Sequence, residues 1–158
     1  MKTATPTKEH AFLQKLVGNW DIVADAMASN PEHATWRETV RSLHGLWVVA
    51  EGHGEMPGGG AASTMLTLGY DPDKGRYVGN WIDSVINHMW IYEGRLDESG
   101  RTLLLETEGP DVETKGRTAR YQECVSFEDD DNRTFTSHIL TPDGSWRQLM
   151  TMQYRRRV

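Results

Sequence analysis

Cysteine is almost missing from this sequence: Cys124 is the only one in 158 residues, which excludes an intrachain disulfide and any cysteine zinc ribbon. That usage fits a reducing compartment, and we expect a cytoplasmic protein. Long apolar runs are missing as well. No stretch approaches the roughly 18 apolar residues of a membrane span, and Met1 to Glu9 lacks the apolar centre of a signal peptide, so no membrane partner is expected. Positive charge is scarce: 17 Lys and Arg stand against 23 Asp and Glu, a net charge of −6, and such a chain gains nothing from releasing the counterions of a nucleic acid. Its one basic run, Arg155-Arg156-Arg157, is too short to steer a duplex and reads as a solvated strand end. Finally, there is no long apolar stripe at helical spacing.

What is present is turn chemistry. Ser29-Asn30-Pro31, Pro57-Gly58-Gly59-Gly60, Asp71-Pro72-Asp73-Lys74-Gly75, Asp97-Glu98-Ser99-Gly100, Asp129-Asp130-Asp131-Asn132 and Pro142-Asp143-Gly144 all tolerate positive φ or preset a turn. With weaker breaks at His44-Gly45, Asp83 to Asn87 and Gly109 to Gly116, they divide the chain into about ten strands. Between them residues alternate with period two, as a sheet with one buried face requires. Leu103, Leu105 and Thr107 alternate with Thr102, Leu104 and Glu106; Tyr121, Val125 and Phe127 alternate with Arg120, Gln122 and Ser126. A helix over 7–17 is predicted from Phe12, Leu13, Leu16 and Val17 at helical spacing before Gly18. With no helices between strands, a parallel sheet is excluded, and consecutive hairpins hide their edges by closing into a barrel. The expected fold is all-β: one domain over 1–158, an up-and-down antiparallel barrel of about ten strands over 18–157 with a short N-terminal helix.

Leu16-Val17-Gly18-Asn19-Trp20 resembles the opening motif of the calycins, the lipocalin-like barrels, in which the Trp closes the barrel floor under a basic side chain from the last strands. The resemblance implies that Arg155 or Arg156 covers Trp20. Further segments extend it: Gly45-Leu46-Trp47-Val48-Val49-Ala50-Glu51-Gly52, Thr67-Leu68-Gly69-Tyr70-Asp71-Pro72, Tyr77-Val78-Gly79-Asn80-Trp81 and Tyr154-Arg155-Arg156. Together with Glu9 to Trp20 they are similar to the bacterial family of unknown function DUF1579. That resemblance implies a small cytosolic barrel and supplies no catalytic residues.

Barrels of this size have room for a small ligand. On the third strand Trp47, Glu51 and His53 share one side, and Ala50, Gly52 and Gly54 the other. Small residues make a poor apolar lining, so Trp47, Glu51 and His53 are expected inside. Trp81, His88, Trp90 and Tyr92 fall on adjacent strands and read as a pocket wall. Met150 on the last strand reads as cavity lining and the stretch near Tyr154 as packing. His138, on a late strand, is the residue that a nitrobindin-like barrel would use for haem, although Asp21 to Met27 lacks the second glycine of that group's motif. Convergence of His53, His88 and His138 on a metal has no support in spacing, and no cofactor or metal is assigned.

Other motifs are set aside. Gly58-Gly59-Gly60 lacks the continuation of a phosphate loop, Ser63 and Ser84 lack a nucleophile elbow, and Glu128 to Asn132 lacks EF-hand spacing.

Three readings follow. The first is a binding module holding a small apolar or amphipathic molecule, with Trp47, Trp81, Trp90, Tyr92 and Met150 giving contact area and Glu51, His53, His88 and His138 orienting its polar end. Histidines in such a site imply binding that varies with pH near neutrality. The second is a hydrolase or isomerase in the same cavity, with His53 as general base and Glu51 as its partner. The third is a barrel filled by its own side chains, with an exposed strand or Trp36 making a homodimer contact.

Overall fold

Ten amphipathic strands can bury their apolar faces without a second sheet only by curling those faces toward one another, and the chain does this. The computed structural model describes residues 1–24, 35–56 and 58–157; the Ser29-Asn30-Pro31 turn and Pro57 lie outside the described residues. The elements are α1 (His10–Gln14), β1 (Gly18–Ala24), β2 (Thr35–Leu43), β3 (Trp47–Glu55), β4 (Ala61–Asp71), β5 (Arg76–Asp83), β6 (Trp90–Leu96), β7 (Thr102–Pro110), β8 (Thr118–Asp129), β9 (Asn132–Leu140) and β10 (Trp146–Arg156). Each strand pairs antiparallel with its chain neighbour, and β1 pairs with β10 to close the barrel. No helix among the described residues is long and apolar enough to cross a membrane.

The period-two expectation holds where it was specific. Leu103, Leu105 and Thr107 face inward, as do Tyr121, Val125 and Phe127. On β10 a bulge between Gln148 and Met150 resets the alternation, so Met150 pairs with inward Ser137 while Trp146 pairs with Leu140 on the other face.

The helix is shorter than the expected 7–17. It occupies His10–Gln14, and both flanks tighten into i→i−3 turns: His10 and Ala11 donate to Thr7 and Lys8, Leu16 and Val17 to Leu13 and Gln14. A helix this short has no stability of its own. Packing fixes it: Leu13 is fully buried, Phe12 meets Tyr77 and Phe127 edge-on, and the Tyr77 hydroxyl donates to the Glu9 carbonyl at 2.6 Å. Burial holds that hydroxyl protonated, its pKa pushed up to about 12.

Trp20 is the floor of the barrel, fully buried, with its indole N–H donating to the Leu16 carbonyl at 2.8 Å. Arg156 covers it at 4.3 Å, as the calycin-like motif implies, and also donates to the Val17 and Lys15 carbonyls. A second cation lies inside: Arg133, 4.5 Å from the Trp20 ring and 3.8 Å from Tyr154, donates to Glu38 at 2.6 Å. Gly18 carries φ of 135°, and a Cβ there would lie 2.5 Å from Arg156 Nη1. Gly18→Ala should therefore cost about 1–3 kcal/mol, measured by urea unfolding, from backbone strain and a displaced arginine together.

Candidate functional site

The end of the barrel opposite α1 holds a cavity of about 350 Å³. Alternation on β5 and β6 aims Trp81, Trp90 and Tyr92 into it. Trp81 stacks on Phe135 from β9, centroids 6.1 Å apart and planes 25° apart, and Trp90 meets Tyr121 from β8 edge-on at 5.3 Å. Gly109 on β7 makes room for this wall, since a Cβ there would lie 2.3 Å from the Trp90 ring. Leu149, Met150 and Met152 line the side supplied by β10, and Ile86 and Val112 stand at the loops beyond the strands. Tyr121 fastens one of these loops: its hydroxyl donates to the Pro110 carbonyl at 2.8 Å and accepts from the Val112 N–H at 3.0 Å.

Two carboxyl groups interrupt this apolar lining. Asp83 is already satisfied, accepting from the Trp81 indole at 3.0 Å and from the backbone of Val85 and Ile86 at 2.8 and 2.9 Å. Glu123 is different. It is only 8% exposed, its Oε1 accepts from the Ser137 hydroxyl at 3.1 Å, and its Oε2 is buried without a partner. Loss of water pushes its pKa up to about 7, against a smaller opposing effect of the Ser137 hydrogen bond. A carboxyl that titrates near neutrality can present an O–H to a ligand, accept a proton from one, or carry a charge that pairs with one.

The residues expected at the site divide sharply. Trp81, Trp90, Tyr92 and Met150 line the cavity. His88 packs edge-on against Trp90 at 4.7 Å, with Nε2 buried and unpaired behind that ring. The others are corrected. Trp47, Glu51 and His53 lie on the outer face of β3: Trp47 is 39% exposed over Gly69, Glu51 is half-buried 3.8 Å from Arg41, and His53 is exposed with Nδ1 3.1 Å from Ser63 Oγ. Glu51 and His53 border an outer groove with Ser63, Met65 and Ile82 and are not among the described lining of the cavity, so they do not form an acid–base pair within it.

The physical reason is the size of what faces them. The inward row of β3 is Val48, Ala50, Gly52 and Gly54 because other side chains occupy that space: a Cβ on Gly54 would meet the Trp36 ring at 2.3 Å, and one on Gly52 would meet Thr64 Oγ1 at the same distance. Trp36 thus packs, partly buried, against the core. His138 also points outward, its Nδ1 3.2 Å from the Gln122 carbonyl, so it is not placed to ligate haem in the cavity. His53 and His138 both lie on the outside, and no group of three His, Cys, Asp or Glu among the described residues could hold a metal. Cys124 lies beside His138 at 4.0 Å, and burial raises its thiol to about 11, leaving no thiolate for nucleophilic chemistry at neutral pH.

Sequence reasoning missed Glu123, Asp83, Ser137, Tyr121, Phe135 and Met152 as site residues. For Glu123 a signal exists: it continues the apolar row Tyr121, Val125, Phe127, and an acid on such a row must be buried with a partner or left with an elevated pKa.

Comparison with known proteins agrees with this architecture. No functionally curated protein matches the chain. Among solved structures, an S-type phycobiliprotein lyase from Guillardia theta is similar at 16% identity, covering 99% of each chain with a TM-score of 0.58. A redesigned beta barrel matches at 10% identity over 98% of this chain and 100% of its own, with a TM-score of 0.47. The profile of DUF1579, described as a protein of unknown function, matches residues 5–156, and the chain belongs to that family.

Proposed function

We propose that this protein binds a small, largely apolar molecule in the barrel cavity, with Glu123 fixing the molecule's polar end. One observation carries the reading: a buried carboxyl with an unpartnered oxygen sits among aromatic and methionine side chains in a cavity of about 350 Å³. A filled core has no use for such a group, because an unmatched buried polar atom costs about 1–3 kcal/mol, whereas a ligand that meets it recovers that cost. The cavity lies within the volume range of small-molecule sites. Binding that varies with pH near neutrality is retained from the sequence reading, but the titrating group becomes Glu123 instead of the histidines.

The test uses the neutral fluorophore N-phenyl-1-naphthylamine, whose emission rises in apolar surroundings. The expected result is saturable one-to-one binding, weakened at least about tenfold by Met150→Phe, which fills the cavity, and unchanged by Trp47→Ala on the outer face. Absence of saturable binding, or a response to Trp47→Ala alone, overturns the proposal.

A second reading rests on the same carboxyl. An acid titrating at about 7 is suited to proton transfer, and one protein of similar fold is by name a lyase. Turnover of a candidate ligand, reduced about 10²-fold or more by Glu123→Gln, would select this reading over binding alone.

A further inference from the structure

Resting on the cavity reading, we propose that the occupant is an organic cation: an apolar body enclosed by the aromatic wall, with an ammonium or protonated ring nitrogen against Glu123 Oε2. Three observations converge on it. First, the ionisable side chains lining the cavity, apart from tyrosine, are Asp83 and Glu123, and no Lys, Arg or His is among its described lining residues. An anionic ligand would enter this field with no counter-charge. Second, Asp83 has given its oxygens to the Trp81 indole and two backbone N–H groups, whereas Glu123 Oε2 has no partner. The vacant acceptor is therefore at one place, deep in the cavity. Third, the walls around it are the π systems of Trp81, Trp90, Tyr92 and Tyr121, whose faces attract a cation and give a neutral polar group much less.

Among the described residues, the surroundings of Glu123 supply no competing cation. β7 presents Leu105 and β9 presents Ser137 in register with it; Tyr92 on β6 and Tyr121 on β8 are the titratable neighbours, and Asp83 lies across the cavity. Burial raises the pKa of the empty carboxyl to about 7. A cation stabilises the ionised form, so its binding displaces the proton to solvent and its affinity rises as pH increases from 6 to 8.

The experiment compares n-octylamine, 1-octanol and octanoate, three ligands with the same chain and different head charge, by isothermal titration of the intact protein. Octylamine should bind at least about tenfold tighter than octanol at pH 8, as a charge-assisted hydrogen bond predicts, with a smaller ratio at pH 6. Glu123→Gln, with its fold checked by circular dichroism, should bring the ratio to within about twofold of unity. Should that variant not fold, titrations of the wild type in two buffers of different ionisation enthalpy still decide: at pH 7 the amine should release a substantial fraction of a proton and the alcohol none. Equal binding of amine and alcohol, tighter binding of octanoate, or no linked proton overturns the cation and leaves the cavity reading standing. Failure of all three ligands to bind overturns both.

Discussion

Replacing Glu123 with glutamine should stabilise the empty barrel at pH 8 by about 2–3 kcal/mol and leave its stability at pH 4 nearly unchanged. The folded carboxyl titrates at about 7 against an ordinary value of 4.5, so between these limits the native state holds a proton that the unfolded chain has released. Stability therefore falls as pH rises through that window, and the whole loss is present above the folded pKa. Each unit is worth about 1.4 kcal/mol, which puts the cost of the ionised group near 3 kcal/mol at its upper limit. Glutamine keeps the shape and the acceptor for Ser137 but carries no charge, and its own unpartnered amide lowers the gain. Urea unfolding of both proteins at pH 4, 6 and 8 checks this. A difference that does not change with pH would mean that Glu123 has the same pKa in the folded and unfolded chain, removing the basis for its role as a neutral-pH titrating group.

At the other end of the barrel, Arg133→Met should destabilise by about 3–5 kcal/mol, roughly a 10 °C fall in Tm. Arg133 and Glu38 are each 4% exposed and 2.6 Å apart, so removing the guanidinium strands a carboxylate where water cannot reach it. The rings of Trp20 and Tyr154 lose their cation at the same time. The double variant Glu38→Gln/Arg133→Met should lie closer to wild type than the single, because no buried charge is left behind. Calorimetry on the wild type, both single variants and the double variant measures the coupling. Strict additivity would show that the pair contributes nothing as a pair.

The two sites differ in how much of them was readable. The barrel floor was legible because Gly18 and Trp20, two residues apart, form a motif that resembles the calycin opening; that resemblance implied a cation from the last strand, and Arg156 supplies it. Arg133 was not legible, since it reaches Glu38 from a strand 95 residues away in sequence. Trp81, Trp90 and Tyr92 line the cavity together, and large rings on two consecutive strands are the signal that groups them in the sequence. On β3 the same logic failed. The inference that small residues belong outside ignored what crosses the barrel, and Trp36 fills the space over Gly54.

Sequence alone therefore determined the architecture: turn residues at regular intervals and period-two alternation permit about ten antiparallel strands, and unpaired edges require closure. It also carried the Gly18-Asn19-Trp20 motif, whose resemblance to the calycin opening implied the barrel floor. Only the tertiary structure decided which side chains share the cavity. Glu51 and His53 are neighbours on one strand yet face solvent, whereas Glu123, Ser137 and Met150 come together in register from three adjacent strands and share the cavity with Trp81. Strand alternation offers each row two faces, and the volume supplied by the rest of the barrel selects between them. That selection also left Glu123 in the interior with one oxygen unpaired, and so placed the candidate site at this end of the barrel.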